Sequence, residues 1–166
     1  MKIIGHSNLM IGIREFKKED LDNGYIETIS EIWPCDGITE ETLEKVLDKN
    51  TYIFVAENDD GVIGSLSLYV QNKFIHNGSC VGSIEEVVIR KKFRGKNIGS
   101  LLVDQAVKRC EELGCYKVLL YCYDDVVPFY ERNGFEVFKQ NLMGKTKEEH
   151  YQMLVDLKYD GVESEN

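Results

Sequence analysis

A short basic turn that leads into a helix is the part of this sequence whose residue types are best suited to chemistry. Five of the seven residues from 90 to 96 carry a positive charge, although the net charge of the whole chain is −9. Gly95 lies in this turn and Gly99 lies at the start of a helical pattern. The first turn of a helix presents unpaired N–H groups and the positive end of the dipole, and glycine lets an anion approach the backbone. The stretch therefore predicts a phosphate or diphosphate site, although a basic turn taken alone also fits a solvated loop.

Two adjacent carboxylates, Glu85 and Glu86, precede the basic turn in an apolar, β-branched run at 84–89. Successive side chains of a strand point to opposite faces, so the two carboxylates are predicted to lie on opposite sides of the sheet. A charge in a central strand costs free energy unless it is paired, which favours a functional role for at least one of them. One is expected to face a ligand and the other the cleft or a dimer partner; the alternative is that one of the two is simply exposed.

The pattern of apolar residues places the basic turn between a central strand and the clearest helix of the chain. Strands are predicted at 10–16, 52–57, 62–70, 84–89, 116–123, 135–139 and 150–157, and helices at 18–32, after Thr39, at 98–113 and at 125–133. Residues 58–61 are typical of a hairpin turn, Gly114 of a helix end, and Asp125 of a helix cap. This order mixes antiparallel hairpins with one β-α-β unit, which predicts an α/β sandwich.

Length and charge limit the classes of protein to consider. A chain of 166 residues with 43% apolar residues and two prolines predicts one globular domain at 1–158, with an acidic tail at 159–166. The net charge of −9 argues against a general nucleic-acid binder and against binding to an anionic membrane. No apolar run reaches the ~20 residues of a membrane helix, and the first residues lack the pattern of a signal peptide.

Cysteine usage favours a reducing compartment. The five cysteines, at positions 35, 80, 110, 115 and 122, show no metal-ligand spacing and cannot all pair with one another. A cytoplasmic protein with reduced thiols is therefore expected, and no metal. Cys110 and Cys122 fall at apolar positions of their elements and are predicted to lie in the core.

The basic turn resembles the pyrophosphate loop of the GNAT acetyltransferase family. Residues 94–99 read R-G-K-N-I-G and match the pattern R/Q-x-x-G-x-G/A, except that Asn97 replaces the middle glycine. Asparagine is among the residues best able to adopt a left-handed conformation, so the loop is expected to form. Four further segments, K-F-I-H at 73–76, I-E-E-V-V at 84–88, G-C-Y-K at 114–117 and F-Y-E-R-N-G-F at 129–135, are similar to the members of this family that acetylate glucosamine 6-phosphate.

The resemblance implies the acyl-CoA N-acyltransferase (GNAT) fold, an α/β fold with a mixed central sheet flanked by helices and with splayed central strands. It also implies acetyl-CoA as co-substrate and small-molecule substrates only. In the family, the turn amides hold the diphosphate, side chains add charge or a hydroxyl, and the bulged central strand pairs with the pantetheine arm. The residues implied for the coenzyme are Val87, Val88, Ile89, Arg94, Gly95, Lys96, Asn97, Ile98, Gly99, Ser100, Asp125 and Phe129.

The resemblance also implies roles in catalysis. Tyr130 would stabilise or protonate the leaving thiolate, although it also fits a core aromatic paired with Phe129. The acceptor amine would lose its proton to Glu85 through water or to the backbone carbonyl of Tyr121. The family's sugar site is completed by a second subunit, so a homodimer is expected. The residues implied for the sugar phosphate are Lys73, His76, Glu85, Glu86, Tyr116 and Lys117, of which Lys73 also fits a solvated hairpin and His76 a structural histidine.

Some positions depart from the family. A CoA-contacting asparagine common in the family is Val126 here, so Asp125 or water must serve, and Tyr121 replaces an acidic residue. The basic residue of the family's last strand falls near Asp156, and the candidates to replace it are Lys158, Lys145 and Lys147. Two other hypotheses stay open at this stage: an acetyltransferase for another amine, such as a protein N-terminus, a lysine or a polyamine, and a CoA-binding module without catalysis.

Overall fold

Six strands form one mixed sheet in the computed structural model, which describes residues 2–6, 9–32, 34–35 and 37–138. The strands lie in the sheet in the same order as in the chain. All neighbouring pairs are antiparallel except the last, which is parallel. A parallel pair needs a long crossover connection, and the longest helix supplies it. The strands are β1 Lys2–His6, β2 Leu9–Glu15, β3 Thr51–Asn58, β4 Gly61–Asn72, β5 Cys80–Ile89 and β6 Cys115–Leu120.

The described residues form four α-helices, which are α1 Tyr25–Ile29, α2 Glu40–Val46, α3 Ile98–Glu112 and α4 Val127–Arg132. Two of them, α1 and α3, pack on opposite faces of the sheet. Buried residues recur every three to four positions along α3. Two of them, Leu102 and Ala106, are fully buried against one face of the sheet. On the opposite face, Tyr25 and Ile29 of α1 pack with Val62 and Val88 of the sheet.

Several predicted elements are confirmed. The β3–β4 hairpin turns at residues 59–60, and α3 ends before Gly114, whose φ of +72° is left-handed. Thr39 is the N-cap of α2 and accepts a hydrogen bond from the Thr42 amide at 3.2 Å. At these positions, the local turn and cap residues were enough to predict the structure.

The predicted helix at 18–32 is wrong, because it is interrupted in the middle. A 3₁₀ turn covers Lys18–Asp22, and α1 begins only at Tyr25. Gly24 between them has a φ of +91°, and a Cβ at this position would lie 2.6 Å from the Arg90 guanidinium. The close approach of Arg90 to the backbone explains why the chain breaks its helix here.

Other predictions near the C-terminal end of the described chain are also wrong. The strand predicted at 116–123 ends at Leu120 and its side chains are half-buried or exposed, although a buried strand was expected. No strand forms over 135–138, and α4 has no side-chain cap from Asp125, since its N-cap is Val126. Strand β1 was not predicted, because two isoleucines between short polar flanks carry no clear alternation. The strand predicted at 150–157 lies outside the described residues.

The chain divides into two compact units, Met1–Phe135 and Glu136–Asn166. The first unit contains every helix and strand given above. Of the second unit, residues 136–138 are described and have no regular structure. Among the helices that the structure describes, none has the length and apolar character needed to cross a membrane.

Candidate active site

A cleft opens where β5 and β6 part. Their parallel pairing runs from Cys80 opposite Cys115 to Ile84 opposite Leu120, and β6 ends there. Strand β5 continues to Ile89, paired with β4 alone within the described part of the chain. The outer backbone edge of β5 beyond Ile84 is therefore open to an extended ligand, and the splayed central strands are as the resemblance implied.

A β-bulge at Glu86 lies beside this opening. Glu85 is opposite Ser67 and Val88 is opposite Ser65, so Glu86 and Val87 together face a single residue of β4. The φ of Glu86 is +53°, which is uncommon for a residue other than glycine. The extra residue bends the strand and changes the alternation of its side chains.

The bulge places both carboxylates on one face of the sheet. The Ser67 hydroxyl donates to Glu86 Oε2 at 2.6 Å, and the Ser83 hydroxyl donates to Glu85 Oε1 at 3.1 Å. Ser83 is paired with Tyr69, two residues beyond Ser67, so both serines lie on the α1 face. The prediction that the two carboxylates point to opposite faces is wrong, because it assumed an unbroken alternation.

Two tyrosines share the face on which the carboxylates lie. Burial raises the pKa of Tyr25 to about 12, and the nearby charge of Glu86 contributes to this rise. Burial also raises the pKa of Tyr69, with Glu86 and Glu85 adding to the effect. Both phenols therefore stay protonated at neutral pH.

The basic turn after β5 forms an open set of backbone N–H groups. A 3₁₀ turn at Lys91–Phe93 is followed by left-handed conformations at Gly95, with a φ of +76°, and at Asn97, with a φ of +63°. Asn97 therefore takes the conformation expected of it. Among the described residues, none accepts a hydrogen bond from the backbone amides of residues 95–100. These amides surround the N-terminus of α3, a 15-residue helix, and are free to bind an anion.

Most of the positive charge in this turn is already paired inside the protein. The Arg90 guanidinium donates to the Gly24 carbonyl at 2.6 Å, and Lys92 lies 3.3 Å from Asp60. Arg94 is also held by protein groups, described below. Within the described part of the chain, the side chains of Lys91 and Lys96 have no carboxylate partner.

Helix α4 packs against the start of α3 through a glycine. A Cβ at Gly99 would lie 3.1 Å from the ring of Phe129, so a larger residue would push α4 away. The next residue, Tyr130, packs edge-on against Phe129, with the ring centroids 4.9 Å apart. Burial raises the pKa of Tyr130, and the neighbouring Cys122 thiol adds to the rise. The hydroxyl donates to no described residue, so Tyr130 is a protonated and unoccupied donor.

The segment after β6 lies on the other side of the opening. Tyr121 is 67% exposed, and no described group donates to its carbonyl oxygen. Cys122 is exposed, so its predicted place in the core is wrong, whereas Cys110 is buried as predicted. Asp125 is exposed in the 3₁₀ turn before α4.

Three of the predicted sugar-phosphate residues form a cluster at the opposite end of β5. The rings of His76 and Tyr116 lie 4.3 Å apart, and Lys117 Nζ lies 5.6 Å from the centre of the Tyr116 ring. The ammonium of Lys73 instead donates to Gln71 at 2.7 Å. Described neighbours therefore account for the positions of all four side chains.

The cluster and the glutamates are separated along the sheet. Lys117 is opposite Val81, four residues before Glu85, which is roughly 13 Å along a strand. The neighbours Val118 and Leu120 pack on the α3 side, so alternation places Lys117 on the same face as Ser83. One chain thus presents an acidic and a basic group on one face, at some distance from each other.

Three residues that contribute to this arrangement were not singled out from the sequence. Ser67 and Ser83 bond the two glutamates, and Glu31 bonds the basic turn. The polar residues Ser65, Ser67 and Tyr69 alternate in an otherwise apolar strand, and this signal was available. No sequence signal marks Glu31, since its contacts lie about 60 positions away along the chain. The candidates Asp156, Lys158, Lys145 and Lys147 lie outside the described residues.

No group of three or more metal-binding side chains occurs in the residues that the structure describes. The described residues provide a cleft, open amides and two carboxylates. Such a site can hold a diphosphate at one end and an amine at the other. The Tyr130 phenol on α4 can supply a proton.

Comparison with known proteins shows similarity in both sequence and structure. The sequence profile of the acetyltransferase (GNAT) family matches residues 15–135. A probable glucosamine 6-phosphate N-acetyltransferase of Drosophila melanogaster is 31% identical over 78% of this chain and 62% of its own length. Glucosamine 6-phosphate N-acetyltransferase 1 of Dictyostelium discoideum is 32% identical over 76% of this chain and 85% of its own.

The fold is also similar to solved structures. The crystal structure of glucosamine-6-phosphate N-acetyltransferase from Arabidopsis thaliana has a TM-score of 0.75 and 29% identity, covering 82% of this chain and 97% of that one. An acetyltransferase structure from Trypanosoma brucei, at 24% identity, shares the fold with a TM-score of 0.72, covering 82% of this chain and 99% of that one.

Proposed function

Since this chain belongs to the acetyltransferase (GNAT) family, we propose that it transfers the acetyl group of acetyl-CoA to the amine of glucosamine 6-phosphate. The product is N-acetylglucosamine 6-phosphate, a precursor of UDP-N-acetylglucosamine. One observation carries the proposal: the cleft beside β5 has unoccupied amides at one end and two carboxylates on the adjoining strand. The names of the similar proteins supply the acceptor.

The coenzyme binds along β5 in this proposal. The amides from Gly95 to Gly99 hold the diphosphate, and Lys96 and Ser100 add a charge and a hydroxyl at the start of α3. The free backbone edge at Val87 and Val88 pairs with the pantetheine arm as an additional strand would. The Ile89 carbonyl is already engaged by Arg94 at 2.9 Å, so the pairing is carried by the two valines.

The bound thioester then lies beside the acceptor amine. The amine loses its proton to Glu85 through water, or to the Tyr121 carbonyl, and attacks the thioester carbon directly. Backbone N–H groups of β5 stabilise the oxyanion, and Tyr130 donates its proton to the leaving thiolate. The raised pKa of Tyr130 keeps that proton available at neutral pH. Phe129 and Asp125 border the leaving thiol on α4 and its preceding turn.

The acceptor's hydroxyls are bound by Glu85 and Glu86 and its phosphate by Lys117, with His76, Tyr116 and Lys73 nearby. We infer a homodimer in which a second copy supplies the basic group, because within one chain Lys117 is roughly 13 Å along the sheet from Glu85. Cys80, Cys110, Cys115 and Cys122 are free thiols, which supports action in the cytoplasm.

The test is release of CoA thiol with a panel of acceptors at fixed acetyl-CoA. Glucosamine 6-phosphate is compared with glucosamine, which lacks the phosphate, and glucose 6-phosphate, which lacks the amine. A peptide with a free N-terminus and a polyamine complete the panel. We expect release above buffer with glucosamine 6-phosphate, weaker release with glucosamine and none with glucose 6-phosphate.

Two results would contradict the proposal. Release with the peptide or the polyamine, but not with the sugar phosphate, would assign the same cleft to another amine. Binding of acetyl-CoA without release for any acceptor would indicate a CoA-binding module.

A further inference from the structure

A carboxylate beyond the end of α1 fastens the start of the basic turn. Glu31 lies two residues beyond the end of α1, and its Oε1 and Oε2 accept hydrogen bonds from the Lys91 backbone amide at 3.0 and 3.2 Å. This amide is the first of the 3₁₀ turn at Lys91–Phe93. The same carboxylate lies 3.2 Å from Nη2 of Arg94. Glu31 therefore holds both ends of the 3₁₀ turn.

Arg94 is bonded in a second direction as well. Its Nε donates to the Ile89 carbonyl at 2.9 Å, across the 3₁₀ turn from Glu31. The guanidinium thus joins the last residue of β5 to the carboxylate of Glu31. Side-chain hydrogen bonds therefore fix both ends of the segment from 89 to 94. The open amides of residues 95–100 follow directly after this closed segment.

We propose that Glu31 and Arg94 are positioning residues that hold the turn in its anion-binding shape before the coenzyme arrives. This inference rests on the proposed function only in taking the ligand to be acetyl-CoA. Ordering a flexible loop costs free energy at the moment of binding, so a loop that is already fixed binds more tightly. The backbone amides and Lys96 then bind the diphosphate, and the Arg94 guanidinium binds the protein.

Positioning by Glu31 and direct binding of the diphosphate by Arg94 predict opposite changes in coenzyme affinity when Glu31 is neutralised. If Arg94 bound the diphosphate directly, Glu31 would compete with the ligand for it. Replacing Glu31 by a neutral residue would then free the guanidinium, remove a negative charge from the neighbourhood and tighten binding. If Glu31 positions the turn, the same replacement loosens the amides and weakens binding.

The experiment measures the Kd of acetyl-CoA by isothermal titration calorimetry for the wild type and Glu31→Gln, which keeps the size of the side chain. We expect about fivefold weaker binding, because the variant loses charge-assisted hydrogen bonds to the turn. Asp60→Asn is the matched control, since it removes the exposed partner of Lys92 on the same turn without touching its backbone. Its Kd is expected to be unchanged or lower. Unchanged or tighter binding by Glu31→Gln would overturn the inference.

A double variant tests whether Glu31 and Arg94 act together or independently. If the two residues act together, Glu31→Gln weakens binding less in the Arg94→Gln variant than in the wild type, because only the bonds to the Lys91 amide are left to lose. If Arg94 is a direct ligand, its loss weakens binding whether or not Glu31 is present, and Glu31→Gln shifts the Kd in the opposite direction.

Amide hydrogen exchange without ligand gives a readout that does not depend on the coenzyme. Faster exchange of residues 91–97 in Glu31→Gln, at an unchanged melting temperature, is expected, and equal exchange rates contradict the proposal. Should Glu31→Gln fail to fold, Arg94→Gln takes its place in the exchange measurement, which decides the inference without the coenzyme. Failure of the wild type to bind acetyl-CoA would instead contradict the proposed function, and the exchange result would still decide this inference.

Discussion

Glu86 shows how one residue's backbone conformation determines the chemistry of this cleft. Its φ of +53° in the middle of a sheet is the kind of strain that persists where surrounding contacts fix it. The Ser67 hydroxyl is one such contact, at 2.6 Å. Because of this bulge, Glu85 and Val88 lie on the same face although they are three positions apart. The acidic pair at the cleft is thus a product of the bulge.

Replacing Tyr130 by phenylalanine tests its role as the proton donor. We expect Tyr130→Phe to lower kcat about a hundredfold, because the leaving thiolate loses its acid, while the Kd of acetyl-CoA stays the same. The measurement is thiol release at saturating substrates. Tyr123→Phe is the matched control, since that ring is 65% exposed and adjoins the same opening.

The pH dependence of kcat in the wild type and in Tyr130→Phe follows from the raised pKa of Tyr130. Burial raises the pKa of the phenol above its ordinary value, so the donor is fully present throughout the neutral range. The ratio of wild-type to variant kcat should therefore be constant from about pH 6 to about pH 9. A variant with full kcat, or a ratio that falls within that range, would assign Tyr130 to packing with Phe129 alone.

For single residues, the sequence predicted positions where one residue type signals its own conformation. Asn97 is such a case, because asparagine tolerates the left-handed region that the turn requires. The shared face of Glu85 and Glu86 was out of reach, because a bulge depends on the pairing partner in β4 and leaves no mark in local periodicity. The contacts of Glu31 were hidden for a related reason, since they join segments distant along the chain.

Among the elements, the turn before α3 depends on the left-handed conformation at Asn97. Asn97→Gly should bind acetyl-CoA within about twofold of the wild type, since glycine adopts this conformation freely. Asn97→Val should bind about tenfold more weakly, because a β-branched residue is strained there by about 1–2 kcal/mol. The Kd of acetyl-CoA measures both, and equal affinities for the valine and glycine variants would refute the prediction.

Elements with complete local signals were predicted and those shaped by tertiary contacts were not. Helix α3 and the β3–β4 hairpin carry clear periodicity and turn residues. The helix predicted at 18–32 has suitable apolar spacing, but the approach of Arg90 to Gly24 breaks it. Strand β6 was predicted too long because nothing in its apolar run shows where its neighbour diverges.

For the whole molecule, the proposed homodimer can be tested by mass. Multi-angle light scattering after gel filtration should give twice the 19.1 kDa of the chain at micromolar concentration. The exposed residues Phe74 and Ile75 adjoin His76 and offer apolar surface for such a contact. A particle of single-chain mass that still acetylates glucosamine 6-phosphate would show that one copy contains the entire site.

The bulge in β5 also sets the smallest portion of this protein that could be transplanted into another scaffold. A graft that began at Arg90 would carry the basic turn, but the strand before it would belong to the host. The host strand would then decide which side chains point to which face of the sheet. The donor segment has to start at Ser83, so that the extra residue at position 86 travels with it. It also needs a host serine opposite position 85, in the place of Ser67, to hold the transplanted carboxylate.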